Sequence, residues 1–345
     1  MLEDSVRQSR IEVAAHAIDR LISADVTATG LIDGLYEAAY QRQRGPLCLA
    51  GARLLRKNLE GTGVAVFATG FPEGAGYFPP LPETDGPVGA AVMARALFLA
   101  FGTRSVMVTD EPYLFAVEAA CRGAGLAPIP LGEDMQVPDT NGIRPVFTVA
   151  VPFDKERSQA RAGKILEGVR PQTVVAIERP SQNKQGVWCG LSGRNISAVT
   201  GDLDHLVREA SRRGTATLGI GDGGNEIGMG AIAERLPDII ERARERGYGV
   251  GKEIGSATAT DVLVTAAISN WGALGVIAAL ALDLGRPEIL HSSEVEERCH
   301  RVCVDFGAVD GKLFGPEPAS DGVAAATCGG LVDLLRHTVV KALGV

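Results

Sequence analysis

A glycine-rich segment at residues 219–230 constrains the fold more than any other part of this chain. Its twelve residues include six glycines, together with the acids Asp222 and Glu226. It follows an apolar run at residues 215–219 that predicts the end of a buried strand, and it precedes residues 231–235, which predict a helix. Glycine permits positive φ and close approach of the main chain to a ligand, and a helix start offers free N–H groups to an anion. We therefore interpret the segment as a ligand-binding loop between a strand and a helix.

The rest of the chain alternates between strand-like and helix-like segments. From residue 64 onward, short apolar runs are separated by longer stretches with helical spacing. The predicted strands are residues 64–70, 105–110, 146–151, 173–178 and 215–220, and the predicted helices are residues 87–101, 111–124, 154–169, 202–213, 271–284, 292–306 and 323–342. Residues 262–266 fit either a buried strand or the start of a helix. This order predicts an α/β fold of three layers, in which helices cover both faces of a mostly parallel sheet.

Residues 1–60 are predicted to form a helical N-terminal extension ahead of one compact α/β domain at residues 61–345. Apolar residues at helical spacing, such as Ile11, Ile18 and Ile22, give the extension an apolar stripe. We expect this stripe to pack on its own domain, and packing between the subunits of a homo-oligomer stays open as an alternative.

The composition limits which binding partners and which cellular location are expected for this protein. The net charge is −8, no Lys/Arg-rich run is present and aromatic residues make up 5%, so neither nucleic acid nor an anionic membrane surface is an expected partner. The longest apolar stretch, residues 271–284, is too short to cross a bilayer, and the first residues lack the apolar core of a signal peptide. The six cysteines form no CxxC pair. We expect a cytoplasmic protein with reduced thiols that binds a small molecule.

Polar residues follow several predicted strands at their carboxyl ends, where ligands bind in open α/β sheets. Asp85 lies between the first strand and its helix, and Glu178 and Arg179 follow the fourth strand. Asn225 accompanies the two acids of the glycine-rich segment, and Asn270 follows the run at 262–266. Each position has a purely structural alternative, namely a helix cap for Asp85, a surface pair for Glu178 and Arg179, and a turn for Asn270.

Several familiar catalytic motifs are absent from the sequence. It contains no Gly-x-Ser-x-Gly elbow and no Gly-Lys-Ser/Thr phosphate loop, and its histidines show no spacing that supports a catalytic triad. The glycines at 219, 221 and 224 match the spacing of a dinucleotide-binding loop. However, Asp222 would face the pyrophosphate, and like charges are unfavourable there without a cation. A dinucleotide is therefore not the expected ligand.

Six segments resemble, in the same order, the C-terminal domain of D-glutamate cyclases. They are Glu83-Thr-Asp-Gly-Pro-Val-Gly-Ala, Ala176-Ile-Glu-Arg-Pro, Gly193-Arg-Asn-Ile-Ser, Gly219-Ile-Gly-Asp-Gly-Gly-Asn-Glu-Ile-Gly-Met-Gly, Ile268-Ser-Asn-Trp-Gly and Val309-Asp-Gly. The resemblance covers roughly residues 10–340. In the larger members of that family this domain follows a second, different domain.

The resemblance implies a lyase that converts D-glutamate to 5-oxo-D-proline and water. In this reaction the α-amine attacks the γ-carboxyl group, closes a lactam ring and expels water. The ammonium must first lose a proton, and Glu178 and Asp222 are the candidate bases. The departing hydroxyl must gain a proton, for which Glu226 is the candidate acid. Asp85 is the candidate for holding the ammonium.

The two carboxylates of such a substrate need cations or N–H donors, because an isolated buried charge is costly. Arginine suits this role because its planar fork matches a carboxylate. The candidate substrate-binding residues, besides Asp85, are Arg179, Lys184, Arg194, Gly223, Gly224, Asn225 and Asn270. A divalent cation, Mg²⁺ or Mn²⁺, held by Asp85, Asp222 and Glu226 is an alternative, because hard cations prefer oxygen ligands.

Two other classes of function stay open at this point. One is a non-catalytic module that binds an amino acid and regulates a separate cyclase subunit. The other is a metal-dependent enzyme that acts on a phosphorylated small molecule, suggested by the acids within the glycine-rich loop. The three hypotheses share one spatial requirement, which is that the acids at 85, 178, 222 and 226 meet in a single pocket.

Overall fold

The computed structural model describes residues 2–61, 63–73, 80–133 and 143–344. Within them the helices are α1 (Leu2–Ile22), α2 (Ile32–Gln43), α3 (Leu47–Leu59), α4 (Pro87–Phe101), α5 (Leu114–Gly123), α6 (Lys155–Val169), α7 (Leu203–Arg212), α8 (Leu236–Glu245), α9 (Ser269–Leu284), α10 (Ser293–Asp305) and α11 (Ala325–Leu343). The strands are β1 (Val64–Thr69), β2 (Pro72–Glu73), β3 (Leu81–Pro82), β4 (Arg104–Asp110), β5 (Ala127–Pro130), β6 (Pro145–Val151), β7 (Thr173–Ile177), β8 (Ala216–Gly221), β9 (Val262–Thr265), β10 (Ala319–Ser320) and β11 (Val323–Ala324).

Seven of these strands form one parallel sheet in the order β5-β6-β4-β1-β7-β8-β9. In the middle of the sheet, Val66 is in register with Val106 on one side and with Val174 on the other. From β1 the chain builds outward through β4 first and returns to continue through β7 on the opposite side. A crevice beyond the carboxyl ends of the strands is expected where the strand order reverses, and this point lies between β1 and β7.

Alternate residues of each strand face opposite layers of helices. Val66 packs in one apolar cluster with Ile165 of α6 and Leu206 of α7. Phe67 belongs to the larger cluster on the other face, which includes residues of α3, α4, α5 and α9. This arrangement confirms the predicted α/β fold, with a parallel sheet between two layers of helices.

The N-terminal helices belong to the same apolar core as the sheet. Ile18 of α1 and Leu55 of α3 are fully buried in the cluster that also contains Val264 of β9. Helix α1 packs against α9 and α11, and α3 packs against α9 and β9. The apolar stripe predicted for this region therefore lies against its own chain.

Most predicted elements agree with the structure to within a few residues, but one expectation next to the glycine-rich loop is wrong. Residues Gly230–Ile232 form a single 3-10 turn, and α8 begins only at Leu236. The main-chain N–H groups of Gly228 and Gly230 both donate to the carbonyl of Thr258, so the end of the loop is bonded to a distant segment before the helix begins. The ambiguous run at 262–266 forms strand β9.

Among the described residues, none of the helices combines the length and the apolar character needed to cross a bilayer. Helix α9 is the most apolar candidate from the sequence, and it has 16 residues. Its side chains from Ser269 to Leu282 are buried within the protein. The apolar stretch noted in the sequence is therefore a core helix.

Candidate functional site

The segments that follow β1, β7 and β8 converge on one cavity at the carboxyl ends of the strands. The cavity has a volume of about 570 Å³. Among the described residues, its charged lining consists of six acids and two bases, which are Glu73, Glu83, Glu178, Asp222, Glu226, Asp321, Arg194 and Lys312. The lining is therefore strongly acidic, with two cations that can contact an anionic group of a ligand.

Three carboxyl groups from different strand ends lie together. Asp85, Glu178 and Asp222 each place an oxygen within 4.8 Å of the other two. Asp85 and Glu178 are buried, and Asp222 is half-buried at the cavity wall. Glu178 has a φ of 41°, in the left-handed region that non-glycine residues seldom adopt. Such strain persists where surrounding structure enforces it and often marks a functional site.

Ser269, the first residue of α9, contacts all three acids. Its main-chain N–H donates to Asp85 Oδ2 at 3.0 Å and to Asp222 Oδ2 at 3.1 Å. Its hydroxyl donates to Glu178 Oε2. Because the N-terminus of a helix carries partial positive charge, α9 stabilises the ionised forms of these carboxyl groups.

Asp85 and Asn270 cap each other's helices. Asp85 Oδ1 accepts the main-chain N–H of Asn270 at 2.7 Å, in the first turn of α9. Asn270 Oδ1 accepts the N–H group of Gly86, the residue before α4, at 2.9 Å and that of Gly89, in the first turn of α4, at 2.7 Å. Asp85 is thus a cap of α9 in addition to its place in the acid cluster. Asn270 is fully buried and does not line the cavity, so it supports the site from behind.

The carboxylate of Glu226 accepts hydrogen bonds from main-chain N–H groups of its own loop. Glu226 Oε1 accepts the N–H of Gly223 at 2.7 Å, and Oε2 accepts the N–H of Gly224 at 2.9 Å. The Asn225 side chain lines the cavity and donates to the carbonyl of Cys189 at 2.9 Å. The amides of Gly223 and Gly224, expected to bind a substrate carboxylate, therefore already have an anionic partner.

Burial and mutual repulsion raise the pKa of the clustered acids. Burial, followed by the charge of Asp321, raises the pKa of Asp85 to about 8. The pKa values of Glu178 and Asp222 are raised well above the usual range, first by burial and then by repulsion, chiefly from Glu226 on Glu178 and from Glu178 on Asp222. Burial also raises the pKa of Glu226, against the opposing effect of the Gly223 N–H. Part of the cluster is therefore protonated at neutral pH.

The structure places the two arginines expected at the site in different environments. Arg194 lines the cavity with an exposed side chain. The Arg179 guanidinium is fully buried, contacts both oxygens of Asp110 and donates to the carbonyls of Gly70 and Gly201. Arg179 thus lies outside the cavity lining, and its hydrogen bonds join three loops at the carboxyl edge of the sheet.

Among the residues that the structure describes, sequence reasoning missed Ser269, which contacts the acid cluster, and four charged residues of the cavity lining, Glu73, Glu83, Lys312 and Asp321. Lys312 lines the cavity, and its Nζ lies 3.4 Å from Asp321 Oδ2. Glu83 and Ser269 lie within the segments that carry the family resemblance, and this position is what could have marked them as site residues. Lys312 comes from the loop after α10, which pairs with residue 83 through an isolated bridge to Val309, and Asp321 lies in the turn between β10 and β11.

The oxygens of Asp85, Glu178 and Asp222 have the chemistry and spacing to surround a compact cation. Both an ammonium group and a divalent cation such as Mg²⁺ or Mn²⁺ fit an all-oxygen donor set of this kind. Glu226, expected as a metal ligand, is replaced in this cluster by Glu178, because both Glu226 oxygens accept main-chain N–H groups.

Fold and site together define an α/β protein with an acidic cavity at the switch point of a parallel sheet. The model of the D-glutamate cyclase-like, C-terminal family matches residues 18–336, and the chain belongs to this family. Human mitochondrial D-glutamate cyclase is 27% identical over 221 residues, which make up 62% of this chain and 32% of that protein. The match therefore spans about a third of the length of this relative.

Proposed function

We propose that this chain is a D-glutamate cyclase-like lyase that converts D-glutamate to 5-oxo-D-proline and water. The observation that carries the proposal is the cluster of Asp85, Glu178 and Asp222, with oxygens within 4.8 Å of one another beside a cavity that also presents Arg194 and Lys312. The cluster provides a site for an ammonium group, and the two bases provide partners for carboxylates. Family membership supports the same reaction class.

The proton balance of the reaction suits clustered carboxyl groups. The ammonium nitrogen loses two protons as the new N–C bond forms, and the oxygen that leaves the γ-carbon gains two protons to become water. The site must therefore accept protons from nitrogen and deliver protons to oxygen in one turnover. Glu178 and Asp222, with raised pKa values and a shared environment, can exchange these roles between ionised and protonated forms.

In this proposal Asp85 and Asp222 hold the ammonium, and Glu178 or Asp222 removes its proton. Arg194 and Lys312 bind the substrate carboxylates. Glu226 keeps the loop folded in place of serving as the acid, because its two oxygens accept N–H groups of that loop. A divalent cation on the acid cluster would act differently, since it would polarise the γ-carboxyl group directly.

The geometry disfavours a phosphorylated substrate. The loop amides that would bind a phosphate are occupied by Glu226, and the acids that line the cavity outnumber the bases by six to two among the described residues. A dianionic phosphate would therefore meet more repulsion than attraction unless metal ions were bound.

The proposal is tested by incubating the purified chain with D-glutamate and following lactam formation by NMR, with and without Mg²⁺ or Mn²⁺. Asp222→Asn and Glu178→Gln remove the proposed proton carriers, and Asp333→Asn on the exposed face of α11 is the matched control. We expect turnover by the wild type and the control and its loss in both site variants. An inactive wild type under all metal conditions contradicts the proposal, and calorimetric binding of D-glutamate without product would instead support a non-catalytic binding module.

A further inference from the structure

A chain of buried hydrogen bonds leads from α10 to the acid cluster. It consists of His300, Ser320 and Asn270, all of which are completely buried. His300 Nε2 lies 2.9 Å from Ser320 Oγ, and Asn270 Nδ2 lies 2.8 Å from the same hydroxyl oxygen. None of these three groups lines the cavity, and the chemistry proposed above does not use them.

Donor and acceptor chemistry fixes the direction of the hydrogen bonds at both ends of this chain. His300 Nδ1 lies 3.0 Å from the main-chain carbonyl of Glu296, which can only accept, so Nδ1 carries a proton. In a neutral ring Nε2 accepts the hydroxyl of Ser320, whereas in a cationic ring, with the Glu296 carboxylate 3.7 Å from Nδ1, Nε2 donates to the Ser320 oxygen. The Ser320 oxygen accepts a hydrogen bond from Asn270 Nδ2. The other atom of the amide, Asn270 Oδ1, faces the start of α4 and accepts the N–H of Gly86.

Asn270 has no alternative orientation of its amide. Its Nδ2 donates to the Thr84 carbonyl at 3.2 Å as well as to Ser320, and its Oδ1 accepts the N–H groups of Gly86 and Gly89. A Cβ at position 89 would lie 2.8 Å from Asn270 Oδ1, so a glycine there permits the close approach. A flipped amide would place an oxygen against the Thr84 carbonyl and an NH₂ group against two N–H donors, which is electrostatically unfavourable.

We propose that His300 is a positioning residue that acts through Ser320 and Asn270 to fix Asp85 in the acid cluster. Asn270 provides the main-chain N–H that binds Asp85 Oδ1, and its side chain fixes the start of α4 immediately after Asp85. His300 thereby supports, together with Thr84, Gly86 and Gly89, the rotamer of Asn270 and the segment that carries the Asp85 carboxyl group. The catalytic consequence rests on the proposed function, because Asp85 is there assigned to the substrate ammonium.

The same chain also reaches the cavity wall on its other side. Ser320 precedes Asp321, whose carboxyl group lines the cavity beside Lys312. Thr84 Oγ1 donates to the carbonyl of Ala319, so the strand that carries Ser320 is joined to the segment before Asp85. A change at His300 is therefore transmitted to two walls of the pocket through a few fully buried polar groups.

The test compares His300→Ala with His300→Gln in the full chain. Gln retains an acceptor at the distance of Nε2, so it should restore the bond to Ser320. The matched control is His291→Gln, because His291 is also buried and also pairs with Glu296, through its carboxylate at 2.7 Å, but makes no bond to the chain. Two readouts are recorded, amide hydrogen exchange of the peptide spanning residues 84–90 and the kinetics of lactam formation.

We expect His300→Ala to accelerate exchange at Gly86 and Gly89 while exchange in α7 stays at the wild-type rate. We also expect kcat to fall about 10- to 100-fold with a much smaller change in KM, since small misplacements of a reacting group have effects of this size. His300→Gln should recover most of both losses. If His300→Ala matches His291→Gln in exchange and kinetics, the proposal is overturned. If the wild type makes no lactam, the proposed function fails while the exchange measurement still decides whether His300 positions this segment.

Discussion

Glu226 Oε1 lies 2.7 Å from the main-chain nitrogen of Gly223, so the glycine-rich loop folds around a carboxylate that it provides itself. A second bond joins Oε2 to the N–H of Gly224 at 2.9 Å. Gly224 has a φ of 92°, and a Cβ on Gly223 would lie 2.6 Å from Asn225 Oδ1. The glycines thus allow the main chain of the loop to approach the Glu226 carboxylate closely. This carboxylate occupies the position where the sequence predicted an anionic group of a ligand.

Glu226→Gln should therefore unfold the loop more than it alters proton transfer. An amide at this position turns one acceptor into a donor and leaves a buried main-chain N–H without a partner, which costs about 1–3 kcal/mol of the free energy of unfolding. The measurement is urea unfolding of the variant and the wild type. Asp222→Asn is the comparison, since Asp222 Oδ2 accepts a single N–H, from Ser269, which an amide oxygen can also accept. Equal stability of Glu226→Gln and the wild type would contradict this structural role.

The acid cluster should make the protein more stable as the pH falls from 8 toward 5. Because the pKa of Asp222 is raised in the folded state, the native protein binds more protons than the unfolded chain above about pH 4. The free energy of unfolding then decreases as the pH rises from the unfolded pKa to the folded pKa. Asp222→Asn removes this loss, so its Tm should exceed that of the wild type at pH 8, and the difference should vanish near pH 4.

Thermal unfolding at several pH values checks this expectation. Asp333→Asn, on an exposed position of α11, controls for the loss of one negative charge from the surface. With about 2.1 cal/mol/K of unfolding entropy per residue, a difference of 1 kcal/mol corresponds to about 1.4 °C in Tm for a chain of 345 residues, so the effect is measurable. A wild type that loses stability on acidification from pH 8 to 5, relative to Asp222→Asn, would show that the pKa of Asp222 is not raised by folding.

The fold and the acid cluster were both predictable from the sequence for one reason. Parallel strands bring the segments after their carboxyl ends to one edge, so the positions of Asp85, Glu178 and Asp222 follow from topology alone. Lys312 was not singled out although it directly follows the Val309-Asp-Gly segment, because that segment does not indicate which neighbouring side chain enters the cavity. The contacts that bring this region to the site, the pairing of residue 83 with Val309 and the bond from Thr84 to the carbonyl of Ala319, join segments that are far apart in the sequence.

Side-chain direction explains the different outcome for Arg179. The sequence places it directly beside Glu178 after β7, but successive residues project to different sides of the main chain. Glu178 faces the cavity, and Arg179 extends to Asp110 at the end of β4. A partner 69 residues away decides this direction, so the neighbouring sequence contains no information about it.

Lys312→Met should weaken the binding of D-glutamate by roughly 10- to 100-fold, because a hydrogen bond between charged groups contributes about 1.5–3 kcal/mol. Lys312→Arg should retain most of the affinity, since it keeps the charge at the cavity wall. Calorimetric titration of D-glutamate measures both. Lys341→Met, on the exposed side of α11, reports the effect of removing a distant positive charge. Affinity unchanged in Lys312→Met would remove this residue from the proposed carboxylate site.

The buried pair of Arg179 and Asp110 should matter for folding and not for the chemistry. Both side chains are fully buried, and burial raises the pKa of Asp110 despite the adjacent guanidinium. Arg179→Met leaves Asp110 buried without its cation, and loss of one partner from such a pair costs about 3–5 kcal/mol.

A double-mutant cycle separates this cost from the net contribution of the pair. Combining Arg179→Met with Asp110→Leu removes both charges, so the double variant should be more stable to urea than Arg179→Met alone. Arg212→Met, which breaks a surface pair with Glu209, should leave the midpoint of urea unfolding close to that of the wild type. If Arg179→Met instead folds with wild-type stability but no longer binds D-glutamate, Arg179 contacts the substrate in solution and its assignment to the loop junction is wrong.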